Sequence, residues 1–331
     1  MNETSMNALV FTAGGAHLNT MLGMLEELEK NKQLNNVSAY AGISAGAILA
    51  SFCATRPIQT AVKQLKFILI KHCKDAIKPH YKYLNVPLST LFQKSILDDT
   101  GLAHLLKQEL KGKKVLGDLY IGLTNETDMK YEMHHFSGSS SSAGDLTLVQ
   151  AVHASMSIPV IFEGEQVNTK HYSDGGVFHQ CPVFAIQNML RTAIKHKHKR
   201  LQLTILATCP WNYAPEEISK KSMFPLLARR TFHYVDCLQT NNMTTDREIL
   251  REAFQIYKND LNVNFKMYML PTVLAKQLHK TFTFTKFSHI SEHEIEKLML
   301  LGRNIVRADC ATYDVLQDEP SPIFLKDHLK Y

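Results

Sequence analysis

Short apolar runs alternate with stretches of helical spacing along the first half of the chain. Ala8-Leu9-Val10-Phe11 is continuously apolar and breaks at Thr12-Ala13-Gly14-Gly15, the pattern of a buried strand ending in a glycine turn. Over 19–33, Leu22, Leu25 and Leu28 recur at helical spacing, with Asn19 or Thr20 placed to cap the helix. A second strand, Val37 to Tyr40, runs into Gly42-Ile43-Ser44-Ala45-Gly46, and a helix of small residues, Ala45 to Ala54, follows. This strand-turn-helix rhythm, given twice, predicts a parallel sheet with crossover helices.

Further along, 60–110 reads as largely helical, and Leu116–Leu123 and Lys130–Phe136 read as strands. The serine run Ser137–Ser142 is a flexible loop, and a helix is expected over Leu146–Met156. Leu201–Ala207 alternates and then turns fully apolar, as a strand near a sheet centre does. Helices are expected over 216–239, 243–257 and 291–313, the last opened by Ser291 and Glu294 at capping-box spacing. Val263–Leu270 alternates like an edge strand. With no repeat and no clear linker, the expectation is one α/β domain: a core over 7–207, and a mainly helical extension over 208–331 packed on it.

Composition narrows the function classes. A chain of 331 residues, 45% of them hydrophobic, can bury a substantial core. The net charge of +6 is mild, so nucleic acid is excluded as the expected partner while weak attraction to anionic surfaces remains. The six cysteines, at 53, 73, 181, 209, 237 and 310, form no CxxC pair and are expected as free thiols in a reducing compartment. The N-terminus shows no basic segment followed by a long apolar run, and Phe67-Ile68-Leu69-Ile70 falls far short of the ~18 residues of a spanning helix. The expectation is a cytoplasmic protein that meets membranes only peripherally.

Sixteen histidines raise the question of a metal. His134-His135 and His196-x-His198 are the tightest pairs, but the second lies in Lys195-His196-Lys197-His198-Lys199-Arg200, where neighbouring cations disfavour a divalent ion. No metal is expected, and no cofactor. The same run serves either as a solvated connector or as a contact for anionic headgroups. Met21, Met24, Met267 and Met269 are expected in the core.

Three glycine-bearing segments carry the candidate chemistry. Gly42-Ile43-Ser44-Ala45-Gly46 has the form Gly-x-Ser-x-Gly: a serine on a tight strand-to-helix turn is strained, and glycine two residues to either side removes the clash and exposes Oγ. Ser44 would also stand at a helix N-terminus, which favours developing negative charge. Around Gly14, Gly15 and Ala16 the backbone N–H groups can converge on one point, either as donors to an oxyanion or as a phosphate-binding loop; Gly-x-Gly-x-x-Gly and Gly-Lys-Ser/Thr patterns are both absent. Ser173-Asp174-Gly175-Gly176 is either a plain turn or a carboxylate delivered to a site, where burial would raise its pKa and make it a better base.

Taken together, these segments resemble the patatin-like phospholipase family: a glycine-rich loop at 14–17, Gly-x-Ser-x-Gly at 42–46 and Asp-Gly-Gly at 174–176, in that order. Residues 151–162 (AVHASMSIPVIF) and Pro182 resemble further family stretches, and the likeness spans 7–207. It implies a three-layer αβα fold and a Ser–Asp dyad without a catalytic histidine. Ser44 would be the nucleophile, Asp174 the base, Gly14, Gly15 and Ala16 the oxyanion hole, and Gly42 and Gly46 the nucleophile elbow. The implied activity is lipid acyl hydrolysis of the phospholipase A or acylglycerol esterase type, on a lipid or phospholipid substrate. Acyl transfer by the same dyad and lipid binding without catalysis are the alternatives. The family's loop usually reads Asp-Gly-Gly-Gly-x-Arg. Here it reads Thr12-Ala13-Gly14-Gly15-Ala16-His17, which leaves His17 as the candidate contact to a substrate headgroup.

Overall fold

Two hydrophobic cores lie on the two faces of one sheet in the computed structural model, which describes residues 5–79, 95, 97–138, 142–143, 145–159, 161–208, 226–271 and 290–312. Nine strands make the sheet: β1 (Ser5–Phe11), β2 (Val37–Ile43), β3 (Asp118–Asn125), β4 (Lys130–Ser137), β5 (Glu165–Val167), β6 (Lys170–Asp174), β7 (Arg200–Ala207), β8 (Asn262–Met269) and β9 (Ala311–Thr312). Their order is β9-β8-β7-β1-β2-β3-β6-β5, with β4 on β3. From β8 to β3 the strands run parallel. The outer pairings, β3 with β4 and β6, β6 with β5 and β8 with β9, are antiparallel.

Successive side chains of a strand point to opposite faces, and β1 divides accordingly. Leu9 and Phe11 join one core with α1 (Leu18–Lys30), α2 (Ala45–Thr55), α3 (Ile58–Ala76), α4 (Thr100–Leu110), α5 (Leu148–Met156) and α8 (Glu292–Arg307). Ala8 and Val10 join the other with α6 (Val183–Lys195) and α7 (Leu226–Tyr257). The result is the expected three-layer α/β architecture. Met21 and Met24 are buried in the first core and Met267 and Met269 in the second, the core placement expected of them.

α8 closes the first layer against α1. A Cβ on Gly23 would strike the backbone of Met299, and one on Gly302 the carbonyl of Thr20, so the axes approach more closely than side chains would permit. Arg303 to Glu26 at 2.6 Å and Arg307 to the buried Glu27 at 2.8 Å flank that contact.

Several expectations need correction. α1 is entered from a 3-10 turn, Gly15–His17, with His17 as its N-cap, so Asn19 and Thr20 lie buried inside the helix and cap nothing. The two helices expected at 216–239 and 243–257 are, over the described residues, one helix from 226 to 257. Asparagine favours local bonds in non-helical backbone, but Asn242, in the gap between the two expected helices, spends its side chain on carbonyls of another segment. Of the expected helix over 60–110, α3 and α4 are present, and most residues between them lie outside the described set. β8 is not the edge of the sheet: the two-residue β9 pairs beyond it, and α8 ends at Arg307 before that strand. Thr147 caps α5 through a reciprocal bond with Gln150, so the helix begins at Leu148. Ser291 and Glu294 form the predicted capping box. Cys53, Cys181 and Cys310 are buried thiols.

Candidate functional site

Each of the three glycine-bearing segments follows the C-terminal end of a strand. β1 ends at Phe11, β2 at Ile43 and β6 at Asp174. β4 pairs with β3 along its whole length, Asp118 to Asn125, and so occupies one edge of β3. The other edge is shared. β2 runs parallel to it as far as Ile43 opposite Gly122, and β6 arrives antiparallel with Asp174 opposite Leu123. Two strands therefore meet tip to tip, which brings Ser44, the residue after β2, beside Asp174 at the end of β6.

Ser44 sits on the turn from β2 into α2 with φ 56 and ψ −128, a left-handed conformation that a non-glycine residue adopts at a cost of order 1–3 kcal/mol. The flanking glycines relieve it. A Cβ on Gly42 would strike the Gly46 carbonyl, and one on Gly46 would lie 2.5 Å from the Thr12 carbonyl oxygen and 2.6 Å from that of Phe11. Gly46 thus lets the first turn of α2 rest on the end of β1, which brings the glycine loop beside the serine.

Asp174 is buried, and it is the last residue of a strand rather than part of a free loop. Its backbone is held on both sides: its N–H donates to the Ser157 carbonyl at 2.9 Å, and its carbonyl accepts from Thr124 Oγ1 at 2.7 Å. Its Oδ1 accepts the Gly176 N–H at 2.7 Å. Burial raises the carboxyl pKa from 3.8 to about 7, against the downward pull of the Ser44 hydroxyl and of the Gly176 amide. Among the described residues, the carboxyl is coupled to the Ser44 hydroxyl and the Gly176 amide.

The glycine loop is pinned from β7. Thr208 Oγ1 donates to the Ala13 carbonyl at 2.7 Å, and a Cβ on Gly14 would collide with the Thr208 methyl. Ala13 N–H donates to the Gln180 carbonyl at 2.8 Å, joining this loop to the segment after Asp174. Gly14 and Gly15 are half-buried, and no described residue accepts from their N–H groups. The N–H of Ser44 itself donates to Ser155 Oγ at 2.9 Å and is therefore not available to an oxyanion. The Gly14–Ala16 backbone passes through the 3-10 turn Gly15–His17 into α1. His17 is half-buried at the end of the same loop.

Sequence reading missed the braces. Ser155 accepts from Ser44 N–H and donates to the Gly122 carbonyl at 2.7 Å, fixing the Ser44 turn to β3. Ser157 holds Asp174. Both lie in the 151–162 segment already singled out by resemblance, but nothing local says that Ser155 reaches a residue 111 positions earlier.

Away from the site, Lys195–Arg200 joins α6 to the start of β7, at the opposite end of the sheet from Ser44. It is a connector and does not border the candidate site. A cleft of about 420 Å³, lined by Asn7, Gln202, Asn264 and Lys266 among others, opens at that same far end. Among the described residues no group of His, Cys, Asp and Glu could hold a metal, and no helix is long and apolar enough to cross a membrane.

The patatin-like phospholipase family model matches residues 9–186, more than half of the chain and all three segments. The chain belongs to the patatin-like phospholipase family. No curated protein matches it in sequence. Solved structures match at low identity. VipD from Legionella pneumophila is 13% identical, with 90% of this chain and 66% of that chain covered and a TM-score of 0.36. ExoU of Pseudomonas aeruginosa, solved with SpcU from the type III secretion system, is 17% identical, with 76% and 53% covered and a TM-score of 0.33. The family member described here thus spans under two thirds of the length of either.

Proposed function

We propose that this patatin-like protein is a lipid acyl hydrolase of the phospholipase A or acylglycerol esterase type, working through an acyl-Ser44 intermediate with Asp174 as its base. The observation that carries this reading is the shared edge of β3, which sets a strained serine against a buried, proton-accepting carboxyl.

The ionised Asp174 takes the proton of Ser44 as Oγ attacks the ester carbonyl carbon. The carbonyl electrons move to oxygen, where N–H groups of Gly14, Gly15 and Ala16 hold the negative charge, each well-placed donor being worth ~3–4 kcal/mol. Collapse breaks the ester bond, and the leaving alcohol takes the proton from Asp174. Water then attacks the acyl-serine, gives its proton to Asp174 and releases the carboxylic acid, and the proton returns to Ser44. A pKa near 7 suits this exchange, because an ordinary carboxyl is too weak a base at neutral pH. We assign headgroup contact to the half-buried His17, the last residue of the 3-10 turn that follows Gly14.

The test is a panel of phospholipid and neutral acylglycerol substrates, run with wild type, Ser44→Ala and Asp174→Asn. Ester turnover and labelling by a fluorophosphonate probe are expected only where Ser44 is present. Undiminished turnover in Ser44→Ala would overturn the assignment.

A further inference from the structure

The segment after Asp174 is gripped by a helix from beyond the family match. Asn242 and Asp246 lie four residues apart on α7 and so share one helix face. Asn242 Nδ2 donates to the Val177 carbonyl at 2.8 Å and to the Gly176 carbonyl at 3.2 Å. Asp246 is fully buried, and its Oδ2 accepts the N–H groups of Gln180 and Cys181, each at 2.8 Å. Its Oδ1 pairs with His179 Nδ1 at 2.5 Å. Gln180 closes the arrangement by donating from Nε2 to the Gly176 carbonyl at 2.7 Å.

Gly176 is where this grip meets the chemistry, because its N–H is the backbone donor to Asp174 Oδ1. Its carbonyl is bonded by Asn242 and Gln180 and its amide by the carboxyl, which fixes the turn on both sides of one residue. The turn is also tight: a Cβ on Gly176 would lie 2.9 Å from Asp174 Oδ1 and 3.2 Å from Gln180 Nε2. A buried carboxylate is costly unless paired and hydrogen-bonded, and among the described residues the hydrogen-bond partners of the Asp246 carboxylate, His179, Gln180 and Cys181, all lie in this one segment.

We propose that Asn242 and Asp246 are positioning residues for Asp174, so that α7, outside the region matching the family, is a working part of the active site. The inference rests on the hydrolase reading above. Neither side chain touches Ser44. They act by holding the Asp174-Gly175-Gly176 turn in the conformation that orients the Asp174 carboxyl.

The experiment uses the full chain carrying Asn242→Ala, the milder change at a half-buried position, with Asp246→Asn as a second variant and the exposed Thr245→Ala as control. Three quantities are read: kcat and KM separately, the pH at which activity falls on the acid side, and amide exchange over 174–181. Asn242→Ala is expected to lower kcat about tenfold or more with KM little changed. It is also expected to move the acid limb to higher pH, as a loosened Gly176 N–H withdraws support from the Asp174 carboxylate, and to speed exchange in that segment. Thr245→Ala should match wild type. An active wild type with Asn242→Ala at wild-type kcat and an unmoved acid limb overturns the clamp alone. A wild type no more active than Ser44→Ala overturns the hydrolase reading, and the clamp with it.

Discussion

Ser44 and Asp174 meet because their strands dock on consecutive residues of β3, Ile43 opposite Gly122 and Asp174 opposite Leu123. The nucleophile turn and the carboxyl are separated by 130 positions in the chain, yet one strand edge rules their distance. Ser155 bonds to Gly122 and Ser44 together, and Thr124 bonds to Asp174, so the same edge is braced on either side of the junction.

In the proposed mechanism Asp174 is the base and sets the pH dependence. Asp174 must be ionised to accept the serine proton, and burial has raised its pKa to about 7. kcat/KM should therefore rise about tenfold per pH unit below 7 and level off above it. In Asp174→Asn the rate should fall by about a thousandfold and lose this limb. A pH–rate profile of both proteins on a soluble ester decides it.

The same shift predicts a stability cost. A carboxyl whose folded pKa lies above its unfolded value holds its proton more tightly when folded. Stability is therefore lost as pH rises from about 4 to about 7. Asp174→Asn should stabilise the protein at pH 8 by up to about 4 kcal/mol and leave it unchanged near pH 3. Denaturant unfolding at both pH values measures the difference.

His153 reports in the opposite direction. Burial alone would push its pKa down, but bonds to Asp99 at 3.1 Å and Glu165 at 2.7 Å overcome that and raise it to about 9. A histidine with a raised folded pKa contributes stability that is whole below about 6.5 and lost as pH climbs through 9. His153→Gln should lose about 2–3 kcal/mol at pH 6 and much less at pH 10. Thermal unfolding across that range would show it, and equal losses at both ends would dismiss the charged clamp.

Ser155→Ala removes the acceptor of the buried Ser44 N–H. We expect a loss of about 1–3 kcal/mol from the unsatisfied donor. Acylation should slow about tenfold as the nucleophile turn drifts. Single-turnover kinetics and a melting curve separate the two effects.

Gly46→Ala tests the junction of the first two loops. The added methyl would stand 2.5 Å from a backbone oxygen that cannot swing away. The cost should be about 2–4 kcal/mol, with activity reduced at least about a hundredfold. A crystal structure of a stable, active Gly46→Ala protein would show the approach to be looser than described.

Much of this was legible in the residues alone. The apolar run before Gly14, the Gly-x-Ser-x-Gly turn and the Ser291 capping box are local features, and local sterics and hydrogen bonding settle them within a few residues. The alternating methionines and leucines likewise declared their core faces. Other readings failed where distant partners intervened. The expected helices over 216–239 and 243–257 are one helix over the described residues, and in the expected gap Asn242 bonds Gly176 and Val177. Asn19 reads as a cap until α1 proves to be entered through the 3-10 turn before it. Ser155, Thr208 and Asp246 carry no local mark of their roles, since each acts on backbone more than 60 positions away. By itself, then, the sequence determined which backbone turns can exist, because glycine placement and side-chain spacing act at short range. The tertiary structure alone decided which of those turns share a site, because that depends on strand register, and register is fixed by the packing of the whole sheet.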